Sequence, residues 1–260
     1  MSSAAMHIAR TGLDAQDMRM RVISNNLANV NTTGFKKDRA AFETLAYQTV
    51  TTPGTQSTAE TKYATGLNLG TGVRIQGTAR IDTQGAMQTT GNSLDLALDG
   101  DGYFQVQMPG GTLGYTRAGN FSRSAEGLLV TSEGYQLQPG ITVPPAQSVK
   151  ISADGTISIV PVGGDANAPQ VIDTLKLASP KGTETVKGLD NLLHVKGGGV
   201  LPQDLEAKVA SGSLEGSNVN MTQALVDMIE NQRSYEVQAN MMKSAKDMDE
   251  SGASLMRLPS

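Results

Sequence analysis

Cysteine and tryptophan are absent from the 260-residue chain, histidine occurs twice, and aromatic residues make up only 4%. Without cysteine there can be no disulfide framework, no thiolate nucleophile and no Cys-based metal site. So few aromatics argue against one large aromatic-rich core. No apolar run reaches the ~18 residues of an ordinary transmembrane helix. The start, Met1-Ser2-Ser3-Ala4-Ala5-Met6-His7-Ile8-Ala9-Arg10, lacks the basic n-region and continuous apolar h-region of a cleavable signal peptide. Charge of one sign is missing too: 21 Lys+Arg stand against 25 Asp+Glu, a net −4. A nucleic-acid or acidic-membrane partner, which calls for a basic patch, is therefore not expected.

Catalytic motifs are equally scarce. His7 and His194 lie far apart in sequence, and no HExxH, GxSxG, P-loop or GxGxxG pattern occurs. Asp99-Gly100-Asp101-Gly102 fails as a calcium loop, because Tyr103 and Gly110 stand at the fifth and twelfth positions. It reads instead as a hairpin turn. No enzyme, cofactor, metal site or small-molecule substrate is expected.

What the chain does contain is unevenly placed. Ten of its twelve methionines lie in the first 20 or last 40 residues, whereas glycine concentrates between them. At the N-terminal end Met6, Leu13, Met20 and Leu27 recur every seven residues, with Ala9, Gln16, Ile23 and Val30 three positions later. This is an a/d seam with one polar d position. At the C-terminal end Met221, Leu225, Met228, Gln232, Tyr235, Ala239 and Met242 alternate by four and three. Asn220 stands as N-cap, Gln223 at the capping-box partner position, and Val219 as a staple onto Ala224. Either helix could pack as an ordinary amphipathic element of one domain. Long, narrow, Met-rich seams at opposite termini fit better against each other and against neighbouring copies, since the flexible thioether tolerates varied packing.

The stretch SNNLANVNTTGFK (Ser24 to Lys36) crowds amides, which are mediocre helix formers, into a helix end. At 100° per residue Leu27 and Val30 continue the seam with Ile23, while Asn25, Asn26 and Asn29 project about 110° to one side. On that face they could register a neighbouring subunit through hydrogen bonds without burying a charge. Asn31 then helps end the helix, and Gly34 supplies a tight turn.

The centre reads as β. Leu94 to Gly140 alternates in short runs broken by turn residues, and Val73–Ile81, Ser148–Val160, Val171–Ala178 and Asn191–Lys196 are further strand candidates. Val162-Gly163-Gly164-Asp165 and Gly197-Gly198-Gly199 are loops. Tyr47 to Leu69, rich in Thr, Ser, Gly and Gln, has a linker's composition but more than a linker's length. The fold class is therefore α+β: long N- and C-terminal helices pairing as a coiled-coil-like unit, with a central all-β domain inserted between them. The expected segments are 1–46, 47–69, 70–213 and 214–260.

Three ordered stretches resemble one family. TGLDAQDMRMRVISNNLANVNTTGFKK (Thr11 to Lys37), the central LDLALDGDGYFQVQMPGGTLGYTRAGNFSRSAEGLLVTSEGYQLQP, and LEGSNVNMTQALVDMIENQRSYEVQANMMKSAKDM (Leu214 to Met248) are similar to signatures of the bacterial flagellar rod and hook proteins. Length and the stretch Arg39 to Ser57 look most like the distal-rod branch, as against the hook and proximal-rod branches. The resemblance implies a tubular helical homopolymer acting as a drive shaft across the periplasm. The terminal helices would form the wall around an export channel, with Tyr47–Leu69 as a stiffening stretch. It also implies proximal rod and hook-family subunits at the two ends, outer ring proteins around the rod, and the flagellar export apparatus as partners. The expected subunit-interface residues are Met6, Leu13, Met20, Ile23, Leu27 and Val30, the amides Asn25, Asn26 and Asn29, and Met221, Leu225, Met228, Tyr235, Ala239 and Met242. A reading from another class is a secreted glycan- or peptidoglycan-binding module, built on Tyr103, Phe104, Tyr115, Phe121 and Tyr135.

Overall fold

A computed structural model describes residues 2–54, 65–144, 146–161, 169–180, 183–188, 191–203 and 207–255. The chain forms two compact units. One comprises Met1–Ala28, Asp38–Ile81 and Asn220–Ser260; the other comprises Asn29–Lys37 and Asp82–Val219.

The first unit holds both long helices, α1 (Ser2–Ala28) and α2 (Met221–Leu255). It also holds β1 (Asp38–Thr44), β2 (Tyr47–Thr51), β3 (Leu67–Gly70) and β4 (Val73–Arg80). On α1 the sheltered side carries Ala15, Val22, Ile23 and Asn26, all buried, with Met6, Ala9, Leu13, Met20 and Leu27 half-buried beside them. The heptad stripe is thus on the inward side, widened by Ala15 and Val22. Gly12 interrupts a good helical sequence at a cost of about 1 kcal/mol. A Cβ there would stand 3.0 Å from Gln238 Oε1, so the glycine makes room for an α2 side chain.

α2 starts at the expected cap, where Gln223 N–H donates to Asn220 Oδ1 at 3.1 Å. The reciprocal half of the capping box is not made. Gln223 turns forward and its Nε2 donates to Asp227 Oδ1 at 2.8 Å, one helical turn on.

β1 and β4 pair antiparallel from Asp38↔Arg80 to Thr44↔Val73, with a bulge between Ala41 and Phe42. Beyond them β2 and β3 pair from Tyr47↔Gly70 to Thr51↔Leu67. The linker expected over Tyr47–Leu69 is therefore strand at both its ends; residues 55–64 lie outside the described residues. The average composition hid two short runs of β-formers, Tyr47-Gln48-Thr49-Val50-Thr51 and Leu67-Asn68-Leu69, that pair with each other.

The second unit is all β. Its strands are β5 (Met87–Thr89), β6 (Leu96–Asp99), β7 (Tyr103–Gln107), β8 (Leu113–Thr116), β9 (Ser122–Arg123), β10 (Leu129–Val130), β11 (Gln136–Leu137) and β12 (Ala146–Ile151). They continue with β13 (Thr156–Pro161), β14 (Gln170–Thr174), β15 (Leu177–Ala178), β16 (Thr185–Lys187), β17 (Leu193–Val195), β18 (Lys208–Ser211) and β19 (Ser213–Glu215). The main sheet runs β16-β17-β8-β7-β11-β10-β9, with β15 also on β7; β12-β13-β14 form a second sheet, and β18-β6 and β19-β5 are pairs. Alternation turns Leu96, Leu98, Phe104, Val106, Leu129, Leu137 and Ile157 into one core. There Phe104 and Phe121 meet edge to face at 5.2 Å.

Three expectations change here. Val171–Ala178 is not one strand: it divides into β14, paired with β13, and β15, paired with β7. Ser148–Val160 is not one strand but the hairpin β12–β13, folded at Asp154-Gly155 with Gly155 at φ 82°. Asp99-Gly100-Asp101-Gly102 is a turn but not a hairpin, because β6 pairs with β18 while β7 lies between β8 and β11. It carries the chain from one sheet to another, which no local pattern distinguishes from a hairpin. The loop Val162-Gly163-Gly164-Asp165 lies outside the described residues. The aromatic shelf imagined for a glycan site is mostly core: Tyr103 and Tyr115 are buried in one cluster, Phe104 and Phe121 in another, and Tyr135 packs half-buried against the second.

Candidate assembly surfaces and a buried charge clamp

The second unit is closed by the last residue of β19. Glu215 is 0% exposed. Its Oε1 accepts from Lys36 Nζ at 2.6 Å and from the Gly85 N–H at 2.8 Å, and its Oε2 accepts from Arg117 Nη1 at 2.9 Å. Lys36 and Arg117 are themselves each 4% exposed. Lys36 also donates to the Thr83 carbonyl at 2.8 Å, and Arg117 Nη2 donates to the Gly100 carbonyl at 2.6 Å. The guanidinium carbon stands 5.3 Å from the centre of the Tyr103 ring, whose hydroxyl donates to Asp82 at 2.8 Å. Burial holds the Lys36 ammonium below its ordinary lysine pKa, and the Arg117 charge adds to that; the hydrogen bond and charge of Glu215 and the charge of Asp82 oppose the shift. A carboxylate with three donors is well satisfied despite full burial.

The backbone supports the same junction. Past α1 the chain turns through Thr32 N–H to the Asn29 carbonyl at 3.2 Å, then through Gly34 at φ 66°. Any Cβ on Gly34 would run into the Arg117 backbone, so both the left-handed conformation and the close approach require glycine. Gly34 N–H donates to the Glu215 carbonyl at 2.8 Å, Lys37 N–H to Asn218 Oδ1 at 2.7 Å, and Asn218 N–H to the Phe35 carbonyl at 3.2 Å. Lys187 covers the buried Phe35 ring at 4.1 Å. Residues 34–37 and 215–218, remote in sequence, are thereby stitched together. The arrangement is a mechanical tie between these segments. Sequence reading missed it, because a lone Glu, Lys and Arg on three separate segments make no pattern.

The three amides part company. Asn26 is buried, donating from Nδ2 to the Asp38 carbonyl at 2.8 Å and accepting from the Asp38 N–H at 3.0 Å. Its carboxamide thus serves the start of β1 within the chain and is not on a face beside the seam; what overrode the 100° projection is that the chain itself returns there as a strand. Asn25 lies on the exposed side. Asn29 is past the helix end, accepting from Thr32 Oγ1 at 3.1 Å. With Thr32, Thr33, Asn120, Ser132 and Glu133 it lines a polar recess of about 380 Å³. Val30 likewise lies beyond α1, in the turn.

On α2 the inward face is turned from the expected one. Ala224 and Asn231 are buried, and Met228, Gln238, Ala239, Met242 and Ala245 are half-buried. Met221, Leu225 and Tyr235 are between 44% and 48% exposed. Met221, Leu225, Ile229, Val237 and Met241 make an outer row at four-residue spacing, interrupted only by Arg233. Rows of this kind form the ridges that pack into the grooves of another helix. The inward signal was present as Ala224, Asn231, Gln238 and Ala245, spaced by seven, but small and polar residues do not mark a seam when apolarity is the criterion. Among the described residues no helix is long and apolar enough to cross a membrane.

Comparison with known proteins agrees with this architecture. Residues 6–36 match the family model described as flagella basal body rod protein. Residues 97–159 match the flagellar hook protein FlgE/F/G D1 domain, and residues 210–255 the flagellar basal body rod FlgEFG protein C-terminal. The flagellar basal-body rod protein FlgG of Buchnera aphidicola subsp. Acyrthosiphon pisum is 41% identical over 264 residues, covering 94% of this chain and 96% of that protein. FlgG of Caulobacter vibrioides is 37% identical over 94% of this chain and 96% of its own length, and FlgF of Escherichia coli 34% over 87% of each. With both long helices, the clamp and the central β unit falling within the three matched stretches and these full-length relatives, the chain belongs to the flagellar basal-body rod protein family, in its distal-rod branch, as a structural subunit.

Proposed function

We propose that the chain polymerises with copies of itself into a rigid helical tube, the two terminal helices pairing in coiled-coil fashion as its inner wall. The observation that carries this is the outer row of α2. Leu225, Ile229, Val237 and Met241 are 44% to 57% exposed, an apolar row broken once by Arg233 that a lone subunit leaves in water. Burying each such side chain contributes about 1.5–3 kcal/mol, and a head-to-tail contact that does not close gives an open helical assembly. The interface then consists of the ridge, which Met221 begins, with Tyr235 at its flank and Asn25 and Asn29 as polar contacts. Met6, Leu13, Met20, Ile23, Leu27, Met228, Ala239 and Met242 hold α1 and α2 together as the unit that docks.

The paired β2–β3 ribbon supports the distal-rod reading over the hook or proximal-rod ones. Two strands alone are marginally stable in water. Tyr47, Val50, Leu67 and Leu69 are all at least half exposed, so the ribbon is suited to be gripped by neighbours and to stiffen the tube. On this reading the polymer spans the periplasm, with proximal rod and hook-family subunits at its ends and ring proteins around it. Its subunits arrive through the flagellar export apparatus, and it performs no catalysis.

The test is negative-stain microscopy and sedimentation of the full chain. Unaltered protein forms straight tubes; Ile229→Asp abolishes them while the melting of the β unit is unchanged. Deleting residues 47–69 leaves the fold intact and yields loose or curved polymers. Straight tubes from Ile229→Asp overturn the ridge, and straight tubes from the deletion overturn the stiffening role.

A further inference from the structure

Within the first unit, the sheltered side of α2 carries a line with strict seven-residue spacing, Ala224, Asn231, Gln238 and Ala245, of which Asn231 and Gln238 meet α1. Asn231 is 2% exposed, and its Nδ2 donates to the backbone carbonyl of Gln16 at 2.9 Å. Seven residues on, Gln238 lies against Gly12, where any Cβ would stand 3.0 Å from its Oε1. Asn231 Oδ1 and Gln238 Oε1 are buried and have no hydrogen-bond partner among the described residues. Two amides inside a helix–helix contact are costly where alanine would pack, as it does at both ends of the same line.

We infer that Asn231, with Gln238 seated on Gly12, is a positioning residue that sets the axial register of α2 against α1. The flanking side chains could not do so. Met6, Met20, Met228 and Met242 are adaptable, and Leu13, Val22, Ile23 and Leu27 carry no polar group, so apolar contacts alone penalise a slide of one heptad, ~10.5 Å, less than the amides do. The slide is opposed by the amides. It would bring Ala224 or Gln238 to the Gln16 carbonyl, leave the Asn231 amide buried without its acceptor, and set a side chain other than Gln238 opposite Gly12. A single buried Asn is the best-attested device for fixing helix register at some cost in stability. The inference rests on the polymer reading for its purpose, since register decides which α2 residues form a continuous ridge on the assembled unit.

The absence of cysteine allows a clean test. Arg19→Cys and Glu230→Cys, both on exposed positions, are spin-labelled in the full chain, and the inter-label distance is measured by double electron–electron resonance. Expected are one narrow distance in the otherwise unaltered chain and a second, resolved population in Asn231→Leu, produced by a slide of ~10.5 Å along the helix axis, with no fall in melting temperature. Asn231→Gln, which keeps a donor, should restore the single distance. One unchanged distance in Asn231→Leu overturns the inference, whether or not the variant melts earlier, as does a broad distribution in the unaltered chain. Tube formation by unlabelled Ile229→Asp tests the ridge independently, because that residue does not touch the register contact.

Discussion

Glu215→Gln keeps the shape of the side chain and removes the one negative charge that touches both Lys36 and Arg117. The distances are 2.6 and 2.9 Å, and the three side chains are between 0% and 4% exposed. The amide retains a single acceptor oxygen, and its NH2 group faces a cation that also only donates. Two buried cations lose their counter-charge, a loss of about 3–5 kcal/mol for this class of change. Against a total stability of about 5–15 kcal/mol that is a large fraction. At about 2–4 °C per kcal/mol for a unit of this size, the melting midpoint should fall by ~6–20 °C. The assay is scanning calorimetry of the full chain at neutral pH in low and high salt; the drop should persist in high salt because buried pairs are poorly screened. Lys36→Met should cost less than Glu215→Gln, since burial already disfavours the ammonium and Arg117 repels it. It should also flatten the alkaline response. With the folded-state pKa of Lys36 lowered, the unfolded chain holds the proton to higher pH, so this group's contribution to stability rises between the folded value and the ordinary lysine value. A Glu215→Gln midpoint within about 2 °C of the unaltered chain, or a Lys36→Met variant that loses more, would refute the clamp argument.

Asn26→Ala removes both hydrogen bonds to Asp38 and should lower stability by about 1–3 kcal/mol, with faster amide exchange at Asp38. Urea unfolding of Asn25→Ala, on the exposed side, should show less than half that loss. Asp154 has its carboxyl held low, first by the Thr156 backbone N–H and then by the Thr156 hydroxyl. Its contribution is full above the ordinary carboxylate range and is lost as pH falls through the lowered folded value. Asp154→Asn keeps an acceptor for the turn, so urea midpoints should differ little at neutral pH while the acid slope between about pH 5 and 2 becomes shallower.

The sequence by itself determined which regions could be helix and which strand. Seven-residue recurrence over Met6 to Leu27 needs no partner to be recognised, nor does the alternation of Leu94 to Gly140, because both follow from the geometry of a single element. Two Met-rich seams at opposite termini pointed to assembly, and three ordered stretches resembled the rod and hook family. Tertiary structure alone decided which face of α2 turns inward. Apolar Met221 and Leu225 stay outside while Ala224 and Asn231 go in, since close helix approach selects for small volume and for a donor that can reach a carbonyl. It alone turned the apparent linker into a ribbon and drew Asn26 away from a neighbour into the service of β1. The Lys36–Glu215–Arg117 clamp is the clearest case. Charges up to 179 positions apart carry no sequence period, and only a fold that brings their segments together in a place closed to water makes them depend on one another.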